Sequence, residues 1–148
     1  TLLINTAIMA VGLLAVLYVQ EVPIHAVLFK ALGLIVVEFM VITAVALLFS
    51  TFSSATFSAI FTLALYVIGH LTPDLKAFGE KMGGVGRTVL EGMYYVLPNL
   101  ERFNLKGHVT HQLDVPLNDL FMIATYGMAY TAFLLMLASV IFQRRDFR

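Results

Sequence analysis

The stretch Ala26–Ser50, AVLFKALGLIVVEFMVITAVALLFS, decides the reading of this chain. Lys30 and Glu38 are its only charged residues. About 20 predominantly apolar residues suffice for a helix to cross the hydrocarbon core of a bilayer, and this run is longer. Membrane-barrel strands alternate apolar and polar residues. Here Leu32–Val37 is apolar on every face, as is Phe133–Leu137 further on. Uninterrupted apolarity is the mark of a helix in lipid, because each segment must satisfy its own backbone hydrogen bonds.

Three further apolar runs extend the pattern. Leu2–Val19 is interrupted only by Asn5 and Thr6, Ala55–Gly69 is shorter, and Leu120–Phe142 is long enough to span. The whole chain has 148 residues, 60% of them hydrophobic and 12% charged. That charged fraction is about half that of a soluble domain. The expected fold is therefore all-α, a polytopic transmembrane helical bundle in a single domain. Its four membrane helices are placed at about 2–19, 26–50, 55–71 and 119–142. An external loop over 72–118 carries short re-entrant or interfacial helices, and a cytoplasmic tail covers 143–148.

The joints support this division. Gln20–His25 (QEVPIH) is short and polar, and Ser50–Ser58 (STFSSATFS) is an uncharged turn. Leu71–Asn118 holds Pro73, Pro98 and Pro116 and most of the charges. Within it, Val89, Leu90, Met93, Tyr94 and Leu97 form one apolar stripe at helical spacing, which predicts a helix over Arg87–Leu97 ended by Pro98. Such a helix either lies at the membrane interface, where tyrosines are favoured, or packs on its own spans. Gly79–Thr88 (GEKMGGVGRT) fails the phosphate-loop pattern, since Arg87 stands where a lysine is needed, and reads as a flexible loop. The tail Gln143–Arg148 (QRRDFR) carries three arginines. The positive-inside rule places it in the cytoplasm, and the long loop outside. A chain that opens within an apolar run and without Met is expected to begin inside a longer protein.

The formal net charge is zero, which removes a basic field for nucleic acid, and the absence of cysteine excludes disulfides and Cys-ligated metals. Glu38 is the sharpest single residue. A charge in mid-span costs about 2.5 kcal/mol or more on insertion scales. It is either part of a polar lining or a structural carboxyl that is protonated or bonded to a neighbouring helix. Lys30, two turns earlier, is too distant to pair with it and is expected to reach the external interface. Thr43, Ser50, Ser53 and Ser54 are candidates for pathway lining or helix contacts. His70, His108 and His111, with Asp74 or Asp114, are the residues of an alternative reading as an interfacial metal-dependent enzyme. The spacing of His108 and His111 allows shared ligation on a helix, but Gly107 favours a turn. A third reading is a structural membrane scaffold.

The order of these segments resembles the C-terminal portion of an ABC-2 type transporter permease. It is most similar to the branch linked to multicopper-enzyme maturation, typified by the nitrous-oxide-reductase accessory permease. The resemblance is carried by Ala46–Ser54 (ALLFSTFSS), by Gly69–Asp74 (GHLTPD) leading to Tyr94–Leu105 (YYVLPNLERFNL), and by the closing Phe142–Phe147 (FQRRDF). It implies a non-enzymatic membrane subunit in the inner (plasma) membrane, with its C-terminus in the cytoplasm. Such a subunit pairs with a second permease subunit, and ATP is bound by a separate ABC ATP-binding subunit, so that this chain has no cofactor of its own. Leu2–Val19 would be the third of six spans. Short re-entrant helices between the fifth and sixth would account for the short third run and would place Tyr94, Tyr95, Pro98 and Asn99 in an external interfacial segment.

Overall fold

The computed structural model describes residues 2–19, 26–105, 108 and 115–146. Helices α1 (Leu2–Val19), α2 (Ala26–Ser50), α3 (Ala55–His70), α4 (Thr72–Met82) and α5 (Gly84–Val96) are followed by a single 3-10 turn (Leu100–Phe103) and by α6 (Leu117–Asp146). No strand occurs among the described residues. By length and composition α2 and α6 are each apolar enough to cross a membrane, which makes this a membrane protein. The pair α3 and α4 meets the same test only when taken together, bent by 67° at Leu71. Within α1 the described apolar stretch is Ile4–Ala15, shorter than a span.

The break after α3 has a local cause. Pro73 has no N–H, so the carbonyl of Gly69 lacks its normal helical donor. The Thr72 hydroxyl donates to it instead, at 2.9 Å, and Thr72 is fully buried. A new helix starts at once, its Leu75 N–H bonding the carbonyl of Leu71 at 3.0 Å. The third helix therefore ends at His70, with Leu71 as the joint, and the connection from residue 72, expected to carry short helices, opens with one, α4.

A second difference concerns Gly79–Thr88. The expected flexible loop is instead the end of α4, a two-glycine turn and the start of α5. Gly83 and Gly84 have φ of +65° and +57°, a backbone region that side chains disfavour, so the reversal is confined to these two residues. Gly79 and Gly86 lie inside the helices, where an added side-chain carbon would make ordinary contact with Leu90 and Met82. α5 thus starts three residues before the expected Arg87. Its stripe is split: Leu90, Met93 and Tyr94 are half-buried, while Val89 joins Val85, Tyr95 and Val96 on an exposed apolar face. Arg87 and Glu91 pair on the surface at 2.7 Å, and the Glu91 carboxylate raises the Arg87 guanidinium above its ordinary value.

α2 is the hub, contacting α1, α3, α6 and the 3-10 turn. The main core gathers Val27, Leu34 and Val41 of α2 around Leu100, Phe103, Leu105 and Val115. Leu100 and Phe103 are almost wholly enclosed, and two glycines admit them. A side chain at Gly69 would come within 2.8 Å of Leu100. One at Gly127 would collide with Val37 and come within 2.9 Å of the Phe103 ring. Small residues at such crossings let helices approach closely, and in lipid this packing, not water exclusion, holds helices together.

Gly127→Ala should therefore destabilise the fold by about 1–3 kcal/mol through overpacking. Gly92→Ala, where nothing lies within 4 Å of the added carbon, should be neutral or stabilise α5 by up to about 1 kcal/mol. Denaturant unfolding in mild detergent checks both.

Candidate functional site

Glu38 faces the end of α3. Its Oε1 lies 3.3 Å from Nε2 of His70, with side-chain exposures of 12% for the glutamate and 24% for the histidine. The other ring nitrogen, Nδ1, lies 3.1 Å from the carbonyl oxygen of Tyr66. A carbonyl only accepts, so Nδ1 carries the hydrogen in that contact. That leaves Nε2 turned toward the carboxylate oxygen, and the two form an ion pair whenever the imidazole is protonated. The Tyr66 ring packs on the His70 ring with centroids 4.6 Å apart, fixing its orientation.

The hairpin α2–α3 brings the two together. From the middle of the Ser/Thr turn, near residue 52, Glu38 lies 14 residues back (52 − 38) and His70 lies 18 ahead (70 − 52). The difference of four residues is about one helical turn, roughly 6 Å along the axis, within reach of two long side chains. The hairpin is tied at its other end by the Ser58 hydroxyl, which donates to the carbonyl of Ala46 at 2.9 Å. The 3-10 turn supports the site from the side, and the backbone leading into it is tied to α6. Tyr126 Oη accepts from the Asn99 N–H at 3.1 Å, and the Tyr130 hydroxyl donates to the carbonyl of Val96 at 3.0 Å. Arg102 stacks over the Tyr126 ring, 5.4 Å from its centroid.

Beside the pair lies a cavity of about 560 Å³. Met9 and Leu13 of α1, Leu28, Leu32 and Ile35 of α2, and Leu105 give it apolar walls. Glu38, Tyr66, His70 and Asn104 supply its polar part, and Phe39 and Phe103 add aromatic rings.

The other expected site residues fall elsewhere. The hydroxyls of Thr43, Ser50 and Ser53 turn back onto carbonyls of their own helix, those of Phe39, Leu47 and Phe49, at 2.7–2.8 Å. Ser54 is exposed and precedes α3 in an extended conformation, without a side-chain cap bond. The cross-helix hydroxyl is that of Ser58, which sequence reasoning passed over. Tyr94 and Tyr95 pack edge to face at 5.3 Å, Tyr95 largely exposed. Pro98 is buried, and Asn99 keeps its side-chain oxygen buried without a hydrogen bond. Lys30 meets a carbonyl, that of Val115, at 2.8 Å. His70, grouped on sequence with His108 and His111, instead pairs with Glu38. His108 is exposed, and His111 and Asp114 lie outside the described residues. Among the described residues no group of three or more histidines and acids is arranged to hold a metal ion.

Compared with protein-family models, with curated proteins and with solved structures, the chain matches none.

The pairing of Glu38 and His70 can be measured by a double-mutant cycle. Glu38→Ala and His70→Ala should each destabilise the fold, and the double variant should cost less than their sum by about 1 kcal/mol or more. Strict additivity in detergent unfolding would show that the two side chains do not interact.

Proposed function

We propose that the chain is the membrane-spanning permease component of an ABC-2 type transporter, which forms the translocation pathway while separate subunits hydrolyse ATP. The observation that carries this reading is the bent unit between α3 and α6. An apolar helix breaks by 67° at Leu71, returns through the amphipathic α5 and the buried 3-10 turn, and leads into a last long helix. The resemblance calls for broken external helices between the fifth and sixth spans, and in this reading α3 and α6 would be those two spans. In this reading α1, α2, the α3–α4 unit and α6 are the four membrane elements. The arginines after residue 143 keep the C-terminus in the cytoplasm of a plasma membrane. A second permease subunit and an ATP-binding subunit complete the assembly.

The chemistry of the chain agrees with a role in passage. Glu38 and His70 lie 3.3 Å apart beside a cavity whose lining is otherwise mostly apolar. Irregular backbone within a membrane is tolerated where protein buries it, as at the enclosed Leu100 and Phe103.

Two measurements test the reading. The full-length protein purified from its native membrane should bring an ATP-binding subunit with it, and reconstitution of the two should raise the ATPase rate of that subunit. Purification without such a subunit, from a genome encoding none nearby, contradicts the proposal. Topology is independent of partners and can be read with single cysteines, since these 148 residues carry none of their own. A membrane-impermeant thiol reagent should label Gly92→Cys from outside intact cells and Ser54→Cys only after the membrane is opened; the reverse pattern inverts the orientation.

A further inference from the structure

The cavity beside Glu38 and His70 has the dimensions of a small-molecule site, for which about 300–1,000 Å³ is usual. It lies among α1, α2, the end of α3 and residues 103–105. Most of the lining is aliphatic, so the body of the ligand is apolar. Phe39, Tyr66 and Phe103 add aromatic rings, which suit a ligand that carries a ring of its own. Glu38 and His70 keep 12% and 24% of their side-chain exposure, and both line the cavity. Among the described lining residues there is no lysine or arginine, so a carboxylate or a phosphate meets no permanent positive charge.

The depth of Glu38 narrows the choice. It stands at the centre of α2, 12 residues from Ala26 (38 − 26) and 12 from Ser50 (50 − 38). At 1.5 Å per residue that is about 18 Å from either end of the helix. Where α2 crosses a bilayer, a phospholipid anchored by its headgroup brings only methylenes to that level, and a methylene donates no hydrogen bond. An ion at that level is costly, and an uncharged hydroxyl far less so. The position therefore favours an occupant that is small enough to leave the headgroup region, uncharged, and able to donate. A carboxyl accepts hydrogen bonds in either protonation state, and its two oxygens offer about four acceptor positions when ionised, so an interaction with His70 is compatible with a further donor.

We propose that this cavity binds an uncharged lipophilic alcohol or phenol, whose hydroxyl donates to the Glu38 carboxyl while its apolar body lies along Leu32, Ile35 and the α1 residues Met9 and Leu13. No covalent bond is made or broken and no proton is transferred. A lipid chain filling the same space would use the aliphatic walls but bring no donor to the polar end. The inference uses only the span α2 and the lining of the cavity, and stands whether or not the chain is a permease.

The test is calorimetric titration of the full-length protein in phosphatidylcholine nanodiscs, with empty discs subtracted. The probes are phenylbutanol, its methyl ether, and phenylbutyrate. The alcohol should bind one saturable site. The ether keeps the shape and the acceptor oxygen but has no hydroxyl hydrogen, and it should bind about tenfold more weakly or worse. Phenylbutyrate, an anion at neutral pH, should bind more weakly than the alcohol. Leu32→Trp, which fills the cavity, should abolish binding of the alcohol. Glu38→Leu should bring the alcohol down to the affinity of the ether and leave the ether unchanged. Equal affinity for alcohol and ether would mean that the cavity takes any apolar filler, a lipid chain included, and would overturn the proposal. So would the lack of a saturable site for the alcohol, or tighter binding of phenylbutyrate. These comparisons of probes use the unaltered protein, so they decide the matter even where a variant fails to fold.

Discussion

A carboxyl in the middle of an apolar membrane helix must find its partner inside the protein, because lipid offers none. In this chain that constraint falls on Glu38, and its resolution shapes the surroundings. His70 can answer it only if α3 runs back along α2 and ends about one turn beyond the level of Glu38. The helix ends there for an independent reason, the missing N–H of Pro73. The hydroxyl of Thr72 then satisfies the carbonyl that the proline leaves open. The break in α3 and the position of the pair are thus two consequences of one short sequence, Gly69–Asp74.

The 3-10 turn converts this local arrangement into a fold. Leu100 and Phe103 enter where Gly69 of α3 and Gly127 of α6 leave room. The wedge holds three helices at once, since α2 lines its other side through Leu34 and Val41. Two tyrosines on successive turns of α6 bond to the backbone just before the wedge, at Asn99 N–H and the Val96 carbonyl. Phe103 and Asn104 also close one wall of the cavity. The same residues therefore pack the bundle and bound the candidate site. A change at Gly127 is expected to be felt there even though it touches neither Glu38 nor His70.

Much of the architecture was legible in the sequence because lipid imposes strong rules. Apolar length located α2 and α6, and the stripe Val89–Leu97 located α5. Glycine was harder to read. In Gly79–Thr88 only Gly83 and Gly84 break the helix, while Gly79 and Gly86 lie within helices, and composition alone does not separate these roles. The site was half legible. Glu38 stood out by its charge, with a bonded partner on a neighbouring helix among its readings. His70 was grouped with His108 and His111 because they share the long external connection, whereas its distance from the Ser/Thr turn marked it as facing Glu38. Thr43, Ser50 and Ser53 resembled cross-helix contacts. Their hydroxyls bond their own backbone, and whether a helical serine turns inward or back depends on neighbours that one sequence does not display.

The central claim is that Glu38 and His70 meet across α2 and α3. Solid-state NMR of the protein in bilayers, labelled with carbon-13 at glutamate carboxyls and nitrogen-15 at histidine rings, measures this directly. An Oε1 to Nε2 separation of 3.3 Å predicts a dipolar coupling between the Glu38 carboxyl carbon and a His70 ring nitrogen for a distance of about 4 Å, lost in Glu38→Gln prepared with the same labels. The absence of any such coupling in the unaltered protein would contradict the pairing and, with it, the site built upon it.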